Sequence, residues 1–143
     1  MKALRYSLKS VLGVLAIFTL LLGSCKNHDS PTPDLATQAA GNYNFTEIVF
    51  QGQTIPASET SIKGSIQITR KTDSTVDVKL NIRQKATNDE FMVEFVEGVV
   101  VSPGSGTIDL FYEGERVAQI KDKKLMVNSV DEAGESFTLV AVK

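Results

Sequence analysis

The chain is poor in the residues on which most catalytic and metal chemistry draws. Its 143 residues include one cysteine, one histidine, no tryptophan and only four prolines, and aromatics make up 7%. A structural zinc site takes about four Cys or His ligands, and a nucleophilic triad needs a positioned His. His28 lies beside Asp29 with no second His to share a metal or a proton. No Gly-x-Ser-x-Gly elbow, phosphate loop or Cys-x-x-Cys pair is present. Carboxylates such as Glu94 and Glu97 fall on opposite faces of an extended strand unless a bulge intervenes, so solvated charges explain them better than an acid–base pair. The expectation is a protein that is not an enzyme and carries neither a metal nor a cofactor. Basic excess is lacking too: the formal net charge is -2. Nucleic acid, which calls for a net basic face, is therefore not an expected partner.

Long apolar runs are equally scarce. One uncharged run, residues 11–22, follows Lys2, Arg5 and Lys9. It falls well short of the roughly 20 apolar residues of a membrane-spanning helix and has the layout of an export signal. The run ends in Leu22-Gly23-Ser24-Cys25, which resembles the lipobox of bacterial lipoproteins. That resemblance implies a signal peptide over residues 1–24, cleavage before Cys25, lipidation of Cys25 and attachment to a membrane through the lipid. Lys26 stands where some of these proteins carry an Asp that retains them in the inner membrane, so the implied location is the outer membrane of a cell envelope. Removing the signal takes away three basic and no acidic residues, leaving a net charge of -5. More than one acyl chain suffices for stable anchoring.

Residues 26–40 are rich in Asn, Asp, Ser, Thr, Pro and Ala and read as a flexible tether, too polar to offset its ordering entropy. From residue 41 to 143 the period becomes two. In Ile62-Lys63-Gly64-Ser65-Ile66-Gln67-Ile68-Thr69 and Val76-Asp77-Val78-Lys79-Leu80-Asn81-Ile82-Arg83 one face is apolar and the other polar, the pattern of antiparallel strands wetted on one side. Eight strands are expected: residues 43–50, 62–69, 76–83, 91–101, 107–112, 116–120, 125–130 and 137–142. Their connections are of hairpin length except residues 51–61. The expected fold class is all-β, with a single antiparallel up-and-down meander that closing into a barrel would free of exposed edges. A two-layer sandwich uses the same strands, and alternation alone leaves the two open.

An eight-stranded meander opening on Gly41-Asn42-Tyr43, followed by the longest loop, resembles the lipocalin-like domains of small lipoproteins of the Bacteroidota type, with Tyr43 in place of the Trp of the lipocalin Gly-x-Trp motif. The resemblance implies a barrel that holds a small apolar ligand under a lid formed by the first long loop.

Alternation puts Tyr43, Phe45, Phe91, Phe95, Tyr112 and Phe137 on the inward face, together with Ile66, Ile68, Val78, Leu80, Val93, Leu110, Val127 and Leu139. The six aromatics are the candidate ligand-binding residues. An eight-stranded barrel is just wide enough to be filled by side chains or to hold one small ligand, and a void of roughly 300 Å³ or more separates the second case from the first. Met92, Val96, Phe111, Met126, Val140 and Val142 fall on the outward face; all but Val142 are taken as a candidate partner-binding patch, with cover by the tether or by a bulge near Gly98 as the alternative. Two functions follow: a binding module for a small, partly apolar molecule, or a structural protein that docks on another envelope protein through the outer patch. The odd-numbered connections collect Glu59, Asp89, Glu90, Glu113, Glu115, Asp131, Glu132 and Glu135 at one end, against Lys85 alone. Lys71, Lys121, Lys123, Lys124 and Lys143 gather at the other, with Asp73 and Asp122.

Overall fold

The computed structural model describes residues 32–143 apart from residue 132. The expected signal peptide over residues 1–24, Cys25 and residues 26–31 of the expected tether lie outside the described residues. The elements are α1 (Leu35–Ala39), β1 (Gly41–Phe50), β2 (Gln53–Pro56), a 3-10 turn (Ala57–Glu59), β3 (Ile62–Arg70), β4 (Thr75–Gln84), β5 (Glu90–Pro103), β6 (Ile108–Tyr112), β7 (Glu115–Lys121), β8 (Lys124–Val130) and β9 (Ser136–Val142). Each strand from β3 onward pairs antiparallel with its successor, β1 pairs with β3, and β9 returns to β1. The result is a closed antiparallel eight-stranded barrel with one extra strand, β2. One sheet closing on itself resolves the choice between barrel and sandwich.

The local reasons are visible in β3 and β4. Ile66 lies opposite Leu80 and Ile68 opposite Val78 on the inner face, while Gln67 opposes Lys79 and Lys63 opposes Arg83 outside. Gly64 is required by close approach: a Cβ there would overlap the Asn81 carbonyl. Tight connections use consecutive left-handed residues at Gln51-Gly52, Glu113-Gly114 and Asp122-Lys123, whose twist matches two-residue hairpins.

Two segments differ from the sequence expectation. The tether does not extend to Ala40, because residues 35–39 form a helical turn that stoppers one end of the barrel. Asp34 caps it, accepting from Thr37 N at 2.7 Å, and pairs with Arg70 at 3.0 Å. Ala36 and Ala39 are fully buried, and the Tyr43 hydroxyl donates to the Ala39 carbonyl at 2.7 Å. Five residues are too few to display a helical period. The second segment is β2, a four-residue strand within the long 51–61 connection that pairs with the far half of β1 while β3 takes the near half.

Strand β5 carries the main correction. Val78 opposes Val96 but Val76 opposes Val99, so Glu97 and Gly98 face the single residue Asp77. Gly98 adopts φ 69°, and its N–H donates to Asp77 Oδ1 at 2.9 Å. Lys71 lies 3.3 Å from Asp77 and 3.4 Å from Glu97, fastening the bulge. An extra residue reverses the strand's faces. Beyond the bulge Val99 and Val101 point inward, as simple alternation has it; before it Met92, Glu94 and Val96 do, and Phe91, Val93 and Phe95 turn outward.

Candidate functional site: a cavity beside a short hairpin

The barrel interior divides into two packed regions and a void. Near α1, Tyr43, Ile66, Ile68, Val101, Ala118 and Ile120 fill the lumen. Toward the other end, Phe45, Ile62, Ile82, Phe137 and Leu139 form a second cluster against β1 and β9. Between them, on the β4–β8 side, lies a cavity of about 230 Å³. Its floor and walls are Ile68, Val78, Leu80, Val96, Val99, Leu110, Ala118 and Leu125; Met92, Tyr112, Val117 and Val127 continue it, and Glu94, Asn128 and Ser129 supply most of its polar atoms. The volume falls below the 300 Å³ expected of a ligand-carrying barrel, yet the lumen is not filled. An apolar cavity of about 150 Å³ accepts benzene, so this one fits a molecule of one or two rings and not a long acyl chain.

Of the six aromatics expected around a ligand, only Tyr112 lines the cavity, 40% exposed. Tyr43, Phe45 and Phe137 are inward but consumed by packing. Phe91 and Phe95 are outside, 45% and 62% exposed, because of the bulge. The same reversal takes Met92 and Val96 off the outer face and into the cavity lining; independently of it, Val140 is buried in register between Glu47 and Met126, which leaves Phe111 and Met126, both half-buried, of the expected outer patch. Glu94 was the residue with chemistry that sequence reasoning misplaced. The bulge near Gly98 is legible in the sequence as a glycine inside a strand of β-branched residues; the reversal it imposes on residues 91–96 is what places Glu94 inward.

The wall around the cavity is uneven in height. β5 pairs with β6 only over Val100–Pro103, so residues 90–99 have a strand partner on the β4 side alone. β7 and β8 pair only from Ala118 with Val127 downward, leaving residues 115–117 and 128–130 apart. The short β6–β7 hairpin therefore forms a low sill between two taller walls, and the cavity opens above it. Its rim bears Phe91, Phe95, Tyr112 and Val130 as exposed apolar side chains.

The charged ends segregate as the topology requires. Connections 51–61, 85–89, 113–114 and 131–135 share the end away from α1. The cations there are largely engaged: Arg83 pairs with Glu90 at 3.2 Å, and Lys85 donates to the Thr60 carbonyl at 2.7 Å. Arg70, Lys71, Lys121, Lys123 and Lys143 collect around α1 together with Asp34, Asp73 and Asp122; Arg70 is paired with Asp34 and Lys71 with Asp77 and Glu97, so Lys121, Lys123 and Lys143 carry most of the basic character of this end. Among the described residues, no group of three or more potential metal-ligating side chains is found, and no helix is long and apolar enough to cross a membrane.

No known protein family, curated protein or solved structure matches this chain.

Proposed function

We propose that this protein is a lipid-anchored, non-enzymatic binding module of the cell envelope, held to the outer membrane through Cys25, whose barrel takes up a small, partly apolar molecule. The observation that carries this reading is the 230 Å³ cavity, apolar over most of its surface with Glu94 among its lining residues. A few placed polar groups in an apolar cleft are the usual composition of a small-molecule site. The Leu22-Gly23-Ser24-Cys25 tetrad supports the anchor. The basic cluster around α1 lies where the chain enters the barrel, and it suits an anionic membrane surface. The acidic far end favours a cationic or neutral ligand over an anionic one.

Calorimetric titration with phenethylamine and with phenylpropionate, similar in size and opposite in charge, tests the binding reading. The amine is expected to bind and the carboxylate not, and Val96→Phe, which fills the cavity, is expected to abolish binding without unfolding the barrel. Equal binding of both compounds, or binding that survives Val96→Phe, contradicts the reading. Anchoring is tested separately: Cys25→Ala is expected to abolish labelling by a fatty-acid analogue and release the protein from membranes.

A further inference from the structure

We propose that the opening above the β6–β7 hairpin is a strand-acceptor site, where an extended segment of another protein, alternating basic and apolar residues, pairs with the edge of β5 and sets apolar side chains at the cavity mouth. Residues 90–99 form a strand paired on one side only, and residues 115–117 and 128–130 diverge where neighbours in a closed barrel should pair. Exposed edges of this kind are blunted by proline, by lysine, by bulges, by inward-pointing charges or by being short. Residues 90–99 run Glu-Phe-Met-Val-Glu-Phe-Val-Glu-Gly-Val, with neither proline nor lysine. Register shifts at Glu97-Gly98 and opposite Ile82-Arg83 interrupt the edge at its two ends, so Met92–Val96 is the stretch left regular, and its inward Glu94 disfavours an apolar or acidic strand while suiting a basic one.

The surroundings are suited to an added strand. Phe91 and Phe95 stand on the outer face of the edge, 45% and 62% exposed, and Val130 stands across the gap on β8 at 59%. On the inner face Met92, Glu94 and Val96 lead into the cavity. Main-chain pairing would supply affinity, and alternate side chains entering the cavity would supply selectivity, as in β-strand addition generally.

Charge identifies the occupant. Glu90 and Glu94 on β5, Glu113 and Glu115 at the hairpin, and Asp131 and Glu135 after β8 surround the gap, against Arg83, already paired with Glu90, and Arg116. A second copy of this chain meeting the gap edge to edge would bring two acidic rims together, each bearing Glu94, Glu113, Glu115, Asp131 and Glu135, and the like charges disfavour it. A lysine- or arginine-bearing segment is complementary.

The test uses the full chain in detergent and a capped heptapeptide alternating lysine with valine and leucine. Three controls accompany it: the same peptide with glutamate for lysine, an N-methylated version unable to pair along its backbone, and the Glu94→Lys/Glu113→Lys variant. Binding is followed by titration and by amide exchange. The lysine peptide is expected to slow exchange in residues 90–98 and to bind at least about tenfold more tightly than either control peptide, with a loss of about tenfold in the variant. No binding, equal binding of the glutamate or N-methylated peptide, or unchanged affinity in the variant overturns the proposal. So does protection of residues 90–98 before peptide is added, since a second copy or another part of this chain would then already hold the edge.

Discussion

Single residues decide which side chains of this barrel meet solvent. Phe45 and Phe95 are both aromatics on alternating strands, yet one is 7% and the other 62% exposed. Phe45→Ala is expected to cost about 3–5 kcal/mol, as for truncation of a core aromatic, whereas Phe95→Ser should stay within about ±0.5 kcal/mol in chemical denaturation. A large loss for Phe95→Ser would place it in the core and undo the reversal of β5. Asp34 carries the clearest pH signature. The hydrogen bond from Arg70, with that from the Thr37 N–H, lowers its carboxyl from 3.8 to about 2. Its folded-state pKa is depressed, so its contribution is complete above pH 4 and fades as pH falls through about 2. Amide exchange in α1 should accelerate over that window, and Arg70→Gln should move the onset to higher pH. Burial raises the Tyr43 phenol, so stability should also decline as pH climbs beyond the ordinary tyrosine range.

At the scale of elements, the strands were legible wherever alternation ran unbroken. Ile66, Ile68, Val78 and Leu80 were placed correctly because β3 and β4 have no bulge between them and every apolar residue shares one face. β5 was legible as a strand but not in its facing, because the Glu97-Gly98 insertion shifts the phase within one element and the residues on both sides of it are apolar. α1 was hidden by brevity: an Asp cap and two buried alanines leave no periodic trace in a polar stretch. Two experiments follow. Deleting Gly98 removes the extra residue, forces Phe91, Val93 and Phe95 together toward a void of only about 230 Å³ and turns Met92 and Val96 out to solvent; the variant is expected to fold poorly or to lose more than about 3 kcal/mol. A chain beginning at Gly41 loses the buried faces of Ala36 and Ala39 and the acceptor of the Tyr43 hydroxyl. It should melt earlier, with a loss on the order of 2 kcal/mol. A truncation as stable as its parent would return residues 33–40 to the tether.

For the whole molecule, topology converts a mixed-sign sequence into a polarised body. Alternate connections of a meander share an end, so the segregation of acidic and basic loops could be read from the chain once the strands were counted. The candidate site was less legible. Its cavity exists because a short hairpin meets taller neighbours, and hairpin height depends on register, which composition does not encode. Only Tyr112 of the expected aromatics reached it, and Glu94 entered through the bulge.

The central claim is that the void behind the β6–β7 hairpin takes up a small molecule. Met92 lines that cavity and Met126 lies outside it on β8, so the two methionines report inside and outside within one sample. Methyl-labelled methionine spectra recorded during a phenethylamine titration test the claim most directly. The Met92 methyl is expected to shift and saturate while the Met126 methyl stays in place, with the Met92 response lost in Val96→Phe. A stationary Met92 signal, or equal movement of both methyls, would contradict it.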